Sequence, residues 1–130
     1  MKGREAVKQI FAIAAGGALG SVLRYELSNW VHGLAGRGFP YGTLAVNVLG
    51  CLAMGFLFVL LVERMGENAV LRAGLLIGVL GGFTTFSTFT IETFNLIEQG
   101  AVAKAAGNMA ASLILCVGAT WAGVNLARQL

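Results

Sequence analysis

Polar side chains stand at regular spacing inside stretches otherwise too apolar to carry them. Thr43, Asn47 and Cys51 recur every four residues, as do Asn108, Ser112, Cys116 and Thr120. Thr85, Thr88 and Glu92 fall at offsets of three and four. On a helix these offsets stack side chains along one face, so each series forms a narrow polar stripe. A single Ser or Thr of this kind reads as interhelical glue, worth about 0.6–2 kcal/mol. Three aligned stripes read instead as the lining of a solvated or ion-conducting path.

The strongest local signal is Gly81–Thr90, GGFTTFSTFT, with two glycines followed by five hydroxyls among three phenylalanines and no charge. Phe86 and Phe89 are three apart and share a face. Aromatic rings have a positive edge, and ring edges with hydroxyl and amide hydrogens can replace part of an anion's hydration without a full positive charge. A fixed Lys or Arg would hold a small anion too tightly to release it. Asn47 lies among Ala45, Val46, Val48 and Leu49, where an unpartnered amide costs several kcal/mol, on the order of 2–7. Its two N–H donors suit an anion, and structural glue would use them equally well. Glu92 is an ionisable group inside a membrane-length run, a functional candidate by type; a wetted vestibule position explains it equally. Arg24 reads as structural, snorkelling to the interface or pairing with Glu26. His32 sits at a helix end without other metal-ligand residues at suitable spacing, so no metal role is expected there.

The elements that carry these residues are transmembrane helices. The chain has 130 residues, 57% hydrophobic and 12% charged, about half the charge of an ordinary soluble domain. Tyr41–Val62, Ala73–Ile91 and Ala105–Ala127 are uncharged and each can cross a hydrocarbon core of about 30 Å. Ile10–Leu23 is shorter and extends through Arg24 and Glu26 to an interfacial Trp30. The expectation is an all-α integral membrane protein, one domain over residues 1–130, with four transmembrane helices at about 7–31, 42–62, 70–98 and 102–128. The third is broken near its middle, near Gly81-Gly82, where backbone freed by a break must be received by protein or water. No soluble domain is left for enzymatic chemistry. Four helices make a thin bundle, so a conduction path forms most easily between subunits, most simply in a dimer.

The basic start (Lys2, Arg4, Lys8) is read as the beginning of the first helix, since no cleavage site follows it. The net charge of +3 gathers at helix ends and suggests headgroups, not nucleic acid. Six basic residues (Lys2, Arg4, Lys8, Arg64, Arg72, Arg128) share the side of the termini, against three (Arg24, Arg37, Lys104) on the other. That bias points to cytoplasmic termini, weakly enough to admit both orientations. Cys51 and Cys116 read as small buried side chains, and neither a disulfide nor a metal pair is expected.

Over nearly its whole length the chain resembles the Fluc/CrcB fluoride channels. The matching strings are Gly16-Gly17-Ala18-Leu19-Gly20, Leu23-Arg24-Tyr25, Gly42-Thr43-Leu44-Ala45-Val46-Asn47, and above all Gly81–Thr90 with Glu92. The chain departs from the family at Asn108, where an aromatic hydroxyl is common, and at Cys116, where serine is usual. The resemblance implies an antiparallel, dual-topology homodimer in the bacterial inner membrane, exporting fluoride passively through two pores at the dimer interface. It implies Phe86 and Phe89 as pore phenylalanines, Asn47 as amide donor, and Thr85, Thr88 and Ser112 along the polar track. It also implies a structural sodium ion held by main-chain carbonyls of Gly81 and Thr84, with close approach requiring glycine at Gly81. The competing class is a proton-coupled small multidrug exporter, also a four-helix antiparallel dimer. That mechanism needs a carboxylate in mid-helix 1, and Ile10–Leu23 has no ionisable residue.

Overall fold

The structure, a computed structural model, describes residues 1–130. Five helical elements follow one another: α1 (Lys2–Ala35), α2 (Tyr41–Arg64), α3 (residues 69–83), α4 (Phe86–Glu98) and α5 (Val102–Arg128). The four helical spans are long and apolar enough to cross a membrane, α3 and α4 together forming one of them. Only 20 of 130 residues are buried, so the bulk of the apolar surface faces outward, where lipid or another copy of the chain must receive it. Phe11, Leu113 and Trp121 are each about 70% exposed.

Turn chemistry sets the helix ends. Gly36, at φ 83°, ends α1 with its N–H donating to the His32 carbonyl. Gly100, at φ 76°, separates α4 from α5, and both angles suit glycine because no Cβ opposes them. Asn68 opens α3 by accepting the Leu71 N–H at 2.9 Å, an N-cap bond. α1 begins at Lys2 and runs to Ala35, longer at both ends than the apolar pattern indicates. Its 34 residues make about 51 Å, so its charged first turns project beyond a hydrocarbon core of about 30 Å. Val59–Arg64 and Ala73–Leu80 are wound as π-helix, a winding seen mostly in short functional segments.

Glycine lets the helices touch in two pairs. α1 lies on α3, where a methyl on Gly16 would strike the Gly74 carbonyl and one on Gly20 the Val79 carbonyl. α2 lies on α5, where Gly55 abuts the Thr120 main chain and Gly123 the Leu52 carbonyl. This is small-residue packing, which gains dispersion contacts where lipid removes the hydrophobic drive. Gly107 and Gly118 differ, having nothing within 4 Å. At the membrane edge Arg64 donates to the Ala127 carbonyl at 3.0 Å, and Arg128 pairs with Glu63 at 2.7 Å. The ends of α2 and α5 are thereby joined.

The interruption falls near the glycine pair as expected, beginning two residues past it. Gly81 and Gly82 are helical, and the backbone turns extended at Thr84 (φ -83°, ψ 153°) and Thr85 (φ -149°, ψ 117°). Gly82 serves packing, because a methyl there would come within 2.6 Å of the Gly17 carbonyl oxygen. Gly81 has room, its nearest neighbour being the Leu76 carbonyl at 3.9 Å, so close approach is needed one residue later than the sequence suggested. Threonine chemistry produces the break. Thr84 Oγ1 donates back to the Leu80 carbonyl at 2.8 Å, and Thr85 Oγ1 accepts the Thr88 N–H at 3.2 Å. Such local bonds compete with the helical ladder, and Thr85 thereby caps α4.

Candidate ion-handling cavity

Asn47 decides the path of the interrupted segment. Its Oδ1 accepts the Thr85 N–H at 2.8 Å, and its Nδ2 donates to the Thr85 carbonyl at 2.9 Å. One amide side chain on α2 thus pairs with both main-chain groups of an extended residue, as a neighbouring strand would. Gly50, one turn further along α2, admits the Thr84 methyl and the Phe83 ring. The Thr85 N–H is consequently lost to the Gly81 carbonyl, its partner in an unbroken helix. The Thr84 carbonyl accepts no hydrogen bond at all.

The bend opens a cavity of about 480 Å³. Its lining comes from Asn47 and Cys51 on α2, Thr84 and Thr85 at the break, and Phe86 and Phe89 on α4. α5 contributes Met109, Ser112, Leu113, Cys116 and Val117. The two rings lie 5.4 Å apart between centroids with planes tilted by 40°, and Phe86 is 76% exposed. Asn47 keeps one Nδ2–H without a protein partner, and Ser112 offers its hydroxyl. The N-terminal end of α4, where the helix dipole is positive, opens beside them. No Lys, Arg or His lines the space. Rings, one amide hydrogen and hydroxyls therefore form a weakly electropositive wall without a full charge.

The remaining expected residues stand elsewhere. Thr88 lies on the α1 side of the break, in a second cavity of about 250 Å³ with Arg24, Ser21, Ser28, Thr43 and Thr85. Thr85 borders both spaces. Arg24 forms no ion pair with Glu26; the chain's ion pairs are Lys8–Glu5 and Arg128–Glu63. Glu92 accepts a hydrogen bond from the buried Thr43 hydroxyl at 2.9 Å, and its second oxygen is buried without a partner. It borders a third cavity of about 330 Å³, with His32, Arg37 and Lys104 among the lining. His32 accepts the Gly42 N–H on Nε2 at 3.2 Å, which ties the end of α1 to the start of α2.

The polar series on α5 does not act as one track. Asn108 is buried and donates to Thr93 Oγ1 at 2.9 Å, and Thr93 donates on to the Phe89 carbonyl at 2.7 Å. Asn108 is thus a brace behind the phenylalanine helix. Thr120 is spent on the Cys51 and Cys116 carbonyls. Only Ser112 and Cys116 of the series reach the main cavity. Met109, Leu113 and Val117 reach it too, and reading hydroxyls alone overlooks them. Their signal was the offset pattern 109, 112, 113, 116, 117, which is one helix face.

The description CrcB-like protein, Camphor Resistance (CrcB), matches residues 11–124. The chain belongs to the CrcB-like family. A protein of Geobacter sulfurreducens is 52% identical over 121 residues, covering 93% of this chain and 98% of its own length; its name is Fluoride-specific ion channel FluC. A relative from Coxiella burnetii with the same name is 50% identical, covering 93% of this chain and 98% of its own length. A third of that name, from Methylococcus capsulatus, is 50% identical over 93% of this chain, which spans 53% of that longer relative. These are names of ion channels, so the family is not one of enzymes. With four membrane-length apolar spans, the chain is a multi-pass membrane protein.

Proposed function

We propose that the chain is a fluoride-selective channel exporting fluoride passively across the bacterial inner membrane. One observation carries this reading. Phe86, Phe89, the free Asn47 N–H and the Ser112 hydroxyl converge on one cavity with no fixed cation in its wall. Fluoride is small, so a lining of hydrogens and ring edges rewards it more than chloride, while the missing cation lets it leave. The channel names of relatives at about half identity support the substrate. A proton-coupled exporter would need a carboxylate in Ile10–Leu23, and none is there.

The working unit in this reading is an antiparallel dual-topology homodimer with two pores, each lined by both copies. What supports it is the outward display of the site, with Phe86 largely exposed. A central structural sodium belongs to the same proposal, held by the main-chain oxygens of Gly81 and Thr84 from each copy. The donor chemistry fits, since the Thr84 carbonyl is unbonded and the Gly81 carbonyl has lost the Thr85 N–H. Hard cations favour such neutral oxygens. When bound, the ion would lend positive potential to both pores.

Reconstituted liposomes loaded with fluoride or chloride test the proposal with an ion electrode. Fluoride efflux should be rapid and chloride efflux near the rate of protein-free vesicles. Equal rates for the two anions would end the fluoride reading.

A further inference from the structure

Cys51 and Cys116 are the chain's only cysteines, and the fold brings them to the same wall. Both line the main cavity, one from α2 and one from α5, and neither is in a disulfide. The Thr120 hydroxyl lies 3.3 Å from the Cys51 carbonyl and 3.1 Å from the Cys116 carbonyl. One hydroxyl thus spans the main chains of both cysteines. Gly55 and Gly123 hold α2 and α5 at that approach.

We propose that Cys51 and Cys116 form a two-sulfur binding site for a soft, two-coordinate d10 dication, with Hg2+ as its representative. Thiolate sulfur selects soft metals. A tetrahedral ion such as zinc needs further protein ligands, and no group of three His, Cys, Asp or Glu residues exists in this fold. Linear coordination is complete with two sulfurs. Binding forms two S–metal bonds and breaks two S–H bonds, the two protons passing to solvent; no electron is transferred. The product carries no net charge, which suits a wall made largely by Phe86, Phe89, Leu113 and Val117, where an isolated charge would be costly. A metal seated there narrows the cavity, so it should also slow transport. That consequence rests on the channel reading, whereas the binding itself does not.

The test uses the purified full-length protein. Hg2+ titration, followed by ultraviolet sulfur-to-mercury charge transfer, should saturate at one ion per chain. One equivalent should protect both thiols from maleimide alkylation, a measurement that needs no variant. Cys51→Ser and Cys116→Ser should each weaken binding by roughly 100-fold, because they remove a second ligand held at high effective concentration. Saturation at two ions per chain, protection of one thiol per equivalent, or single variants that bind as tightly as the unaltered protein would overturn the site. In liposomes Hg2+ should slow fluoride efflux, with each variant resistant relative to its own untreated rate. Tight one-to-one binding with unslowed efflux would uphold the site and count against this cavity as the fluoride path.

Discussion

Replacing Asn47 by Leu removes a side chain of similar size together with both hydrogen bonds that hold Thr85 extended. Hydrogen bonds between membrane helices average about 0.6 kcal/mol and reach about 1.7, so losing two costs roughly 1–3 kcal/mol. The Thr85 N–H and carbonyl then seek partners along their own chain, and the nearest is a repaired helical ladder through Gly81. A shift of about 1–3 kcal/mol between bent and straightened paths changes their ratio by roughly 5–150-fold. Straightening would rotate Phe86 and Phe89 away from Ser112, so fluoride flux should fall by up to that same roughly 5–150-fold. Denaturant titration in detergent measures the stability, and liposome efflux measures the flux. Asn47→Asp is the matched variant, since it keeps an acceptor for the Thr85 N–H but sets a carboxylate oxygen against the Thr85 carbonyl. Both substitutions should damage flux at neutral pH. A leucine variant with unchanged stability and flux within twofold of the unaltered protein would refute the claim that Asn47 sets the bend.

Phe86→Ile and Phe89→Ile should each suppress fluoride efflux with normal gel-filtration behaviour, since isoleucine keeps bulk and loses the positive ring edge; unchanged efflux in both would return the rings to packing. Gly82→Ala should destabilise the fold by about 1–3 kcal/mol through overpacking against Gly17, whereas Gly81→Ala should cost little, and denaturant midpoints compare the two. Exhaustive replacement of sodium by potassium, with extended dialysis, should lower flux and dimer stability; identical values in both salts would remove the central sodium from the proposal. Thr84→Ser should leave efflux close to unaltered, because the group offered there is a main-chain oxygen and serine retains the hydroxyl bond to Leu80.

Apolar length and charge scarcity are properties of composition, so four membrane-length segments are legible in the residues alone. A hydrocarbon core imposes that length on any chain crossing it. The phenylalanine–hydroxyl run is legible for a similar reason: five hydroxyls in a membrane helix demand partners wherever the helix sits. Partner choice is not legible. Asn47 and Thr85 are 38 residues apart, and only the approach of α2 to the break selects main-chain pairing over an anion for part of that amide. The glycine pair looks like the breaker because glycine is permissive, yet helix contact with Gly17 keeps it helical and leaves the bend to two threonines. Thr88 and Glu92 share a stripe with Thr85, yet Thr88 borders the second cavity together with Thr85 while Glu92 borders the third, since the walls of each space come from other helices. Cys51 and Cys116 look unrelated along the chain; the glycine-mediated contact of α2 with α5 makes them neighbours. Local spacing specifies which side chains share a helix face, and helix approach, which depends on residues far apart in sequence, specifies what that face meets.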